Sequence, residues 1–147
     1  MYYFAYGSNM DWPQMQRRCP SSRFVCIARL VDYKFAIARH SRLRQCGTAN
    51  IFMETGSEVW GIIYDVDDQD LNTLDGFEDG YHRETLLLCP SHGSQPSIEA
   101  IVYIADKEDP VPLPNSEYKK LIVGGARHWK IPEFYCLMLE QIQAATE

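Results

Sequence analysis

The tripeptide Gly7-Ser8-Asn9 is the first part of the chain whose residue types and position could do chemistry. It follows a run of aromatic residues and precedes a segment with helix-start signals. Where a strand runs through a glycine turn into a helix, successive backbone N–H groups can be left unpaired and point at one spot. Such donors suit a carboxylate or a developing oxyanion. An ordinary strand-to-helix turn, with Asn9 as a turn residue, explains the tripeptide equally well.

A second candidate is Glu78, which follows Phe77 and lies just before Gly80. If a turn places this carboxyl against aromatic and apolar groups, burial raises its pKa, and it can then accept and release a proton close to neutral pH. The alternative is a solvated acid, which is the usual state of any one member of an acidic surface segment. The nearby acids are Asp67, Asp68, Asp70, Asp75 and Asp79.

Other reactive side chains give weaker signals. The histidines lack the spacing of metal ligands, so no metal site is expected. Ser8 lacks the G-x-S-x-G arrangement of a serine nucleophile. The cysteines never form a C-x-x-C pair, which favours packing positions in a reducing cytoplasm over a disulfide framework or a thiolate metal site. The histidines are His40, His82, His92 and His128, and the cysteines are Cys19, Cys26, Cys46, Cys89 and Cys136.

The composition is that of an ordinary globular domain. The chain has 147 residues, of which 46% are hydrophobic and 23% charged, so a single domain over residues 1–147 is expected. The 14 Lys and Arg stand against 20 Asp and Glu, and the net charge of -6 argues against a nucleic-acid partner. The apolar opening stops at Gly7, too soon for a signal peptide or a membrane span. A cytoplasmic protein with no membrane partner is therefore predicted.

The elements that must position these residues follow from the apolar pattern and the turn signals. Residues 2–6 form the continuous apolar run of a buried strand. Asp11, with Pro13 and a capping Gln14 after it, predicts a helix that runs toward Pro20. Further predictions are two extended pieces in residues 24–38 with a bend at Asp32 and Tyr33, a basic loop at residues 41–48, and a strand at residues 58–64 in which Gly61 marks a close approach.

The second half of the chain begins with a predicted helix at residues 67–74, after which Gly76 and Gly80 bracket a turn that contains Glu78. Strands followed by helices favour an α+β domain with a curved mixed sheet, and periodicity leaves open whether that sheet closes into a barrel. The remaining predictions are strands at residues 81–89 and 98–105 around a loop at 90–97, a helix from Asn115 or Ser116 to about Trp129, and a last helix from Pro132 to near Ala145.

Four segments, taken together, resemble the gamma-glutamylcyclotransferase family with its AIG2-like members. They occur in family order across nearly the whole chain, and four ordered segments are far harder to obtain by chance than one tetrapeptide. The segments are YGSNM at residues 6–10, EVWGIIY at residues 58–64, LDGFEDGY at residues 74–81, and PNSEY at residues 114–118, which continues through GGAR at residues 124–127 to IPEFY at residues 131–135.

The resemblance implies a mixed β-barrel flanked by helices, with a helical C-terminus and a cavity that holds one essential glutamate, here Glu78. It also implies the reaction, an intramolecular aminolysis that cyclises a γ-glutamyl group to 5-oxoproline and releases an amino acid or amine. This is acyl transfer of a lyase type, with Glu78 as general acid and base, and it requires no nucleophilic side chain, metal or cofactor.

The resemblance further implies a set of substrate-binding residues. The loop N–H groups would either polarise the γ-carbonyl or bind the α-carboxylate, and both roles stay open. Tyrosines would shape the loop and line the cavity, while a methionine stands where the family often carries leucine. The residues implied are Tyr6, Gly7, Ser8, Asn9, Met10, Tyr81 and Tyr118.

Two alternatives to this function stay open from the sequence. One is a non-catalytic protein of the same fold that binds a small carboxylated ligand. The other is a related enzyme that acts on a γ-glutamyl-protected metabolite or a side-chain amide. A small-molecule γ-glutamyl substrate and a monomer or homodimer are expected, and the basic segment 39–44 and residues 91–96 are the places where leaving-group specificity could reside.

Overall fold

Five strands form a closed barrel in a computed structural model that describes residues 1–91 and 97–146. Around the barrel the strand order is β1-β3-β2-β4-β5, and all paired neighbours are antiparallel except β1 and β5, which run parallel. The mixed sheet therefore closes, which settles the question that periodicity left open. The strands are β1 Tyr2–Ala5, β2 Arg23–Ser41, β3 Cys46–Asp65, β4 His82–Pro90 and β5 Ile98–Ile104.

Helices follow the ends of these strands and flank the barrel. A short 3-10 helix, Ser8–Met10, comes directly after the first glycine turn. The prediction of a helical C-terminus is confirmed, because two of the four α-helices in the described residues follow the last strand. The helices are α1 Trp12–Arg18, α2 Asp68–Phe77, α3 Ser116–His128 and α4 Glu133–Glu140. In the described part of the chain, no helix is both long and apolar enough to span a lipid bilayer.

The first strand lies between two others, which explains its continuous aromatic sequence. β1 pairs with β3 on one side and with β5 on the other, and Phe4 and Ala5 are almost completely buried. Gly61 of β3 lies against this strand: a Cβ added there would come within 2.3 Å of the Ala5 carbonyl oxygen. The predicted close approach at Gly61 is confirmed.

The two longest strands form one hairpin. The bend predicted at Asp32 exists, with a left-handed φ of 65° at that residue and a shift of strand register beside it, but β2 continues through it as one strand. The Asp32 carboxylate accepts a hydrogen bond from the Gly56 N–H at 3.0 Å, which stabilises the irregularity. β3 begins at Cys46, far before the predicted start at residue 58. The prediction was wrong because the glycines and polar residues in the first half of the strand hide its alternating pattern. The predicted loop at 41–48 shrinks accordingly to residues 42–45.

The second helix runs further than predicted. Asp67 caps it by accepting a hydrogen bond from the Asp70 N–H at 2.8 Å, and the helix ends at Phe77 instead of residue 74. Gly76 therefore lies inside the helix, where burial of Leu71 and Leu74 offsets the roughly 1 kcal/mol that glycine costs. Glu78 is the C-cap residue.

The C-terminal helices begin as predicted. Asn115 caps α3 through a hydrogen bond from the Tyr118 N–H at 2.7 Å, and Pro132 precedes α4. α4 stops at Glu140, short of the predicted end, because the chain turns back and the Ala145 N–H bonds the Pro114 carbonyl. Most of the loop predicted at residues 90–97 lies outside the described residues.

Candidate active site

A cavity lies where the end of β1, the tip of the β2–β3 hairpin and the C-terminal ends of α1 and α2 meet. Tyrosines from β1, β5 and α3 line much of its wall. Of the eight site residues that the sequence predicts, the fold brings seven to this cavity. These seven are Tyr6, Gly7, Ser8, Asn9, Glu78, Tyr81 and Tyr118.

Glu78 lies in the cavity wall at the end of α2. Its backbone is held on both sides: its N–H donates to the Leu74 carbonyl at 3.0 Å, and its carbonyl accepts from the Tyr81 N–H at 2.9 Å. Among the described residues, none donates a hydrogen bond to its carboxylate. Burial raises the pKa of this carboxyl to about 7, against the opposing effect of two nearby guanidinium groups. A group with this pKa can both take and give a proton near neutral pH.

The glycine-serine-asparagine loop is held in place by side chains beneath it. Asn9 is only 3% exposed, and its amide donates to the Tyr3 hydroxyl at 3.0 Å and accepts from the Gln14 amide at 3.0 Å. A Cβ on Gly7 would lie 3.3 Å from the Ala49 Cβ, so a larger residue would crowd the opposite wall. The Asn9 side chain thus fixes the shape of the loop that lines the cavity.

Gln14 has a different role from the one its position predicts. The Asp11 carboxylate caps α1 by accepting from the Gln14 N–H at 3.0 Å. The Gln14 side chain, however, does not return to the cap: its amide nitrogen donates to the Ser8 hydroxyl and to the Asn9 amide oxygen, both at 3.0 Å. Its oxygen accepts from Arg44 at 2.8 Å. The side chain joins the loop to the hairpin tip.

The cavity tyrosines use their hydroxyls to satisfy backbone groups. The Tyr118 hydroxyl accepts from the Ala49 N–H at 2.9 Å, and the Tyr81 hydroxyl donates to the Ala49 carbonyl at 2.5 Å. The Tyr6 hydroxyl donates to the Tyr103 carbonyl at 2.6 Å. Burial raises the pKa of all three predicted tyrosines, so they are uncharged at neutral pH. They present neutral rings and anchored hydroxyls to the cavity.

The family to which these features belong is shown by sequence comparison. The family model described as Gamma-glutamyl cyclotransferase, AIG2-like matches residues 3–122, which include the loop, Glu78 and the tyrosines of the cavity. The chain belongs to the gamma-glutamyl cyclotransferase, AIG2-like family.

Relatives and a solved structure agree with this assignment. The chain is 33% identical to Gamma-glutamylcyclotransferase of Homo sapiens over 149 residues, and 32% identical to the protein of the same name from Mus musculus; each alignment covers 96% of this chain and 78% of the relative. A solved structure named Gamma-glutamyl cyclotransferase superposes with a TM-score of 0.90 at 31% identity, covering 100% of this chain and 90% of that one. The mixed barrel is thus the gamma-glutamyl cyclotransferase fold.

Met10 is the one predicted site residue that does not line the cavity. Its side chain is fully buried, and its carbonyl accepts a hydrogen bond from the Trp129 indole at 3.0 Å. α3 packs directly on it, because a Cβ added to Gly125 would lie 2.4 Å from the Met10 carbonyl carbon. Met10 therefore supports the loop from below.

Two charged residues of the cyclotransferase cavity were not singled out by sequence reasoning. Arg18 and Arg44 both line it, at the end of α1 and in the loop at residues 42–45. Arg18 follows Gln14 by one helical turn, so its spacing on α1 was a usable signal. Arg44 was visible only as part of a basic loop, because the hairpin register that turns it inward depends on the long β2–β3 pairing.

Proposed function

We propose that this chain is a gamma-glutamylcyclotransferase that converts a γ-glutamyl compound into 5-oxoproline and a free amino acid or amine, with Glu78 moving the proton. The observation that carries the proposal is the Glu78 carboxyl, which has a pKa of about 7 and lies in a cavity beside the loop Gly7-Ser8-Asn9. Membership of the cyclotransferase family supports the choice of reaction.

The reaction makes one C–N bond and breaks another. The substrate's own α-amino nitrogen attacks its γ-carbonyl carbon, which closes the five-membered ring, and the bond from that carbon to the leaving nitrogen breaks. Glu78, as its carboxylate, takes a proton from the attacking nitrogen and then gives it to the leaving nitrogen. Because the nucleophile belongs to the substrate, catalysis consists of holding a near-attack geometry and moving this proton, and it needs no metal or cofactor.

The loop supplies the groups that hold the γ-glutamyl end. Ser8 and Asn9 begin the 3-10 helix, and the first N–H groups of a helix have no acceptor within it. Gly7, Ser8 and Asn9 all line the cavity, and their N–H groups would there polarise the γ-carbonyl or bind the α-carboxylate. Tyr6, Tyr81 and Tyr118 would shape the space in which the substrate folds back on itself, and Met10 would act through the loop that it supports.

The state of the cysteines bears on the setting of the enzyme. All five are free thiols, and four are buried. This state suits a reducing compartment, which supports the placement of the enzyme in the cytoplasm.

The proposed function is tested by incubating the purified chain with a panel of γ-glutamyl amino acids and γ-glutamyl amines and measuring 5-oxoproline by mass spectrometry. Product from at least one member is expected. A protein that binds γ-glutamyl compounds without turning them over would instead raise its melting temperature with the same panel and release no 5-oxoproline. That result would replace the catalytic proposal with the binding alternative.

A further inference from the structure

A turn at residues 78–81 carries two members of the cavity, Glu78 at its start and Tyr81 at its end. The turn is closed by the hydrogen bond from the Tyr81 N–H to the Glu78 carbonyl at 2.9 Å. Gly80 adopts a left-handed φ of 83°, a conformation that glycine favours at the third position of a turn. Because the turn is short and follows the last residue of α2, contacts from neighbouring elements bear on where the Glu78 carboxyl lies.

Arg39 of β2 packs against the outside of this turn. Its Nη2 donates to the Asp79 carbonyl at 3.3 Å, and a Cβ added to Gly80 would collide with the same nitrogen. The guanidinium therefore occupies the space beside the glycine. The Arg39 carbonyl accepts a hydrogen bond from the Thr48 hydroxyl at 3.3 Å, and that hydroxyl lies 3.1 Å from the Tyr81 hydroxyl. Arg39 thus contacts the middle of the turn and is linked to its last residue.

Glu108 holds the Arg39 side chain in this orientation. Its carboxylate accepts from the Arg39 Nη1 at 2.8 Å and from the His40 N–H at 3.3 Å. The Glu108 N–H donates to the Ala38 carbonyl at 2.9 Å, so this residue is bound to β2 through both its backbone and its side chain. The Arg39 side chain is 20% exposed. A partly buried guanidinium–carboxylate pair whose backbone is fixed orients its side chains better than an exposed ion pair does.

The pair lies behind the cavity. Neither Arg39 nor Glu108 is among the residues that line it, so neither is placed to touch the substrate. The charged side chains that shift the pKa of the Glu78 carboxyl are Arg18, Arg44 and Asp75. An effect of Arg39 on Glu78 therefore runs through the position of the turn.

We propose that Arg39 and Glu108 form a positioning pair that fixes the turn of Glu78 and thereby determines the rate of the chemical step. The proposal rests on the proposed function for the identity of the reaction. Glu78 must reach first the attacking and then the leaving nitrogen of the folded substrate, and a misplacement of about 1 Å can cost about 100-fold in rate. The pair acts at the carbonyl of Asp79, the residue next to Glu78 in the chain. Its loss should let the turn move while the barrel keeps its fold.

The test compares kcat and KM of Arg39→Ala, Glu108→Ala and the double variant with those of the wild type, at about pH 8.5, above the pKa of Glu78. Each variant should lower kcat by about tenfold to 100-fold and leave KM within about twofold, because the pair does not line the cavity. The double variant should lose no more than either single variant, since the two side chains act as a unit. Glu108→Gln, which keeps an acceptor for Arg39, should recover part of the loss.

Arg29→Ala is the matched control. Arg29 belongs to the same strand and forms an ion pair of similar length, 2.9 Å, with Glu58. Its backbone pairs with Trp60 and Cys89, away from the turn. With folding of all variants checked by circular dichroism, Arg29→Ala should keep the wild-type kcat. A loss of kcat equal to that of Arg39→Ala would overturn the proposal, because the effect would then belong to any ion pair of the strand.

The pH at which kcat/KM rises separates position from charge. Removing a positive charge near a carboxyl raises the pKa of that carboxyl, whereas exposing a buried carboxyl to water lowers it. A rise of kcat/KM that moves to higher pH in Arg39→Ala would show that Arg39 acts through its charge, and it would overturn the proposal. A folded Arg39→Ala protein with the wild-type kcat would overturn it as well.

Failure of the positioning pair can be distinguished from failure of the proposed function. If the wild type forms no 5-oxoproline, the proposed function fails, and the pair is tested by hydrogen exchange of the Tyr81 N–H, which closes the turn. Measured by NMR, this exchange should be about tenfold faster in Arg39→Ala than in the wild type and unchanged in Arg29→Ala, because only the first substitution frees the turn. Equal exchange in Arg39→Ala and the wild type contradicts the proposal.

Discussion

The acid-base behaviour of Glu78 results from burial acting against nearby charge. Burial raises the pKa of its carboxyl, Arg18 and Arg44 lower it, and Asp75 raises it, with a net value of about 7. The two arginines lower the pKa of the carboxyl below the value that burial alone would set, which favours the carboxylate form that acts as a base. Without burial it would stay ionised and could not act as an acid.

At the residue scale, kcat/KM should rise with pH and level off above about 7, because the ionised carboxylate of Glu78 must take the proton of the attacking amine. Asp75→Asn removes a negative charge that raises the pKa of Glu78, so the rising limb should move to lower pH. Asp79→Asn is the control, because Asp79 is an exposed neighbour that should leave the limb in place. A limb that moves to higher pH in Asp75→Asn contradicts this account.

The same raised pKa makes Glu78 a cost to stability. An acid whose pKa is higher in the folded than in the unfolded state binds more protons when folded, so stability falls as pH rises from about 4.5 to about 7. Glu78→Gln should therefore be more stable than the wild type above pH 7, by about 2 kcal/mol after allowance for partial exposure. The advantage should disappear below the ordinary pKa of glutamate. Urea denaturation at a series of pH values measures it, and a constant difference across pH would refute the assignment.

At the scale of elements, the loop depends on how closely α3 approaches it. Gly125 lies against the backbone of Met10 and Asp11, where a Cβ would come within 2.4 Å, whereas a Cβ on the adjacent Gly124 meets nothing within 4 Å. Gly125→Ala must push α3 away from the loop and should lower the free energy of unfolding by about 2 kcal/mol, with loss of activity. Gly124→Ala should raise it by up to about 1 kcal/mol. Chemical denaturation of the two variants measures these changes in the free energy of unfolding. Equal effects of the two substitutions would show that the contact between α3 and the loop is unimportant.

Local sequence signals predicted the start of a helix where one side chain caps it. They failed where pairing between strands distant in sequence determines the secondary structure. Asp11, Asp67 and Asn115 each accept the capping hydrogen bond that their sequence positions suggest. The first half of β3 was not predicted, because its strand state depends on pairing with β2 across a hairpin that begins at residues 42–45. Glu78 was predicted in a turn and is instead the C-cap of α2, because tertiary burial of Leu74 extends that helix.

At the scale of the whole molecule, closure of the barrel brings distant residues into one site. The loop Gly7-Ser8-Asn9, Glu78 and Tyr118 are far apart in sequence and meet because β1 pairs with both β3 and β5. The resemblance to the family predicted these members of the cavity, whereas residue spacing alone did not select them. Arg18 was not singled out, and Arg44 was named only within the basic segment 39–44, because neither lies in a segment that carries the resemblance and their positions in the cavity depend on α1 and on the folded hairpin.

The central claim is that Glu78 transfers the proton. The most direct test measures the rate of 5-oxoproline formation by Glu78→Gln and by Asp79→Asn at saturating γ-glutamyl substrate. Circular dichroism checks that both variants are folded. Loss of general acid-base catalysis predicts a fall in kcat of about 100-fold to 10,000-fold for Glu78→Gln. Asp79→Asn should keep a kcat close to that of the wild type, because it removes an exposed carboxylate one residue away. A folded Glu78→Gln protein that forms 5-oxoproline at the wild-type rate would contradict the account.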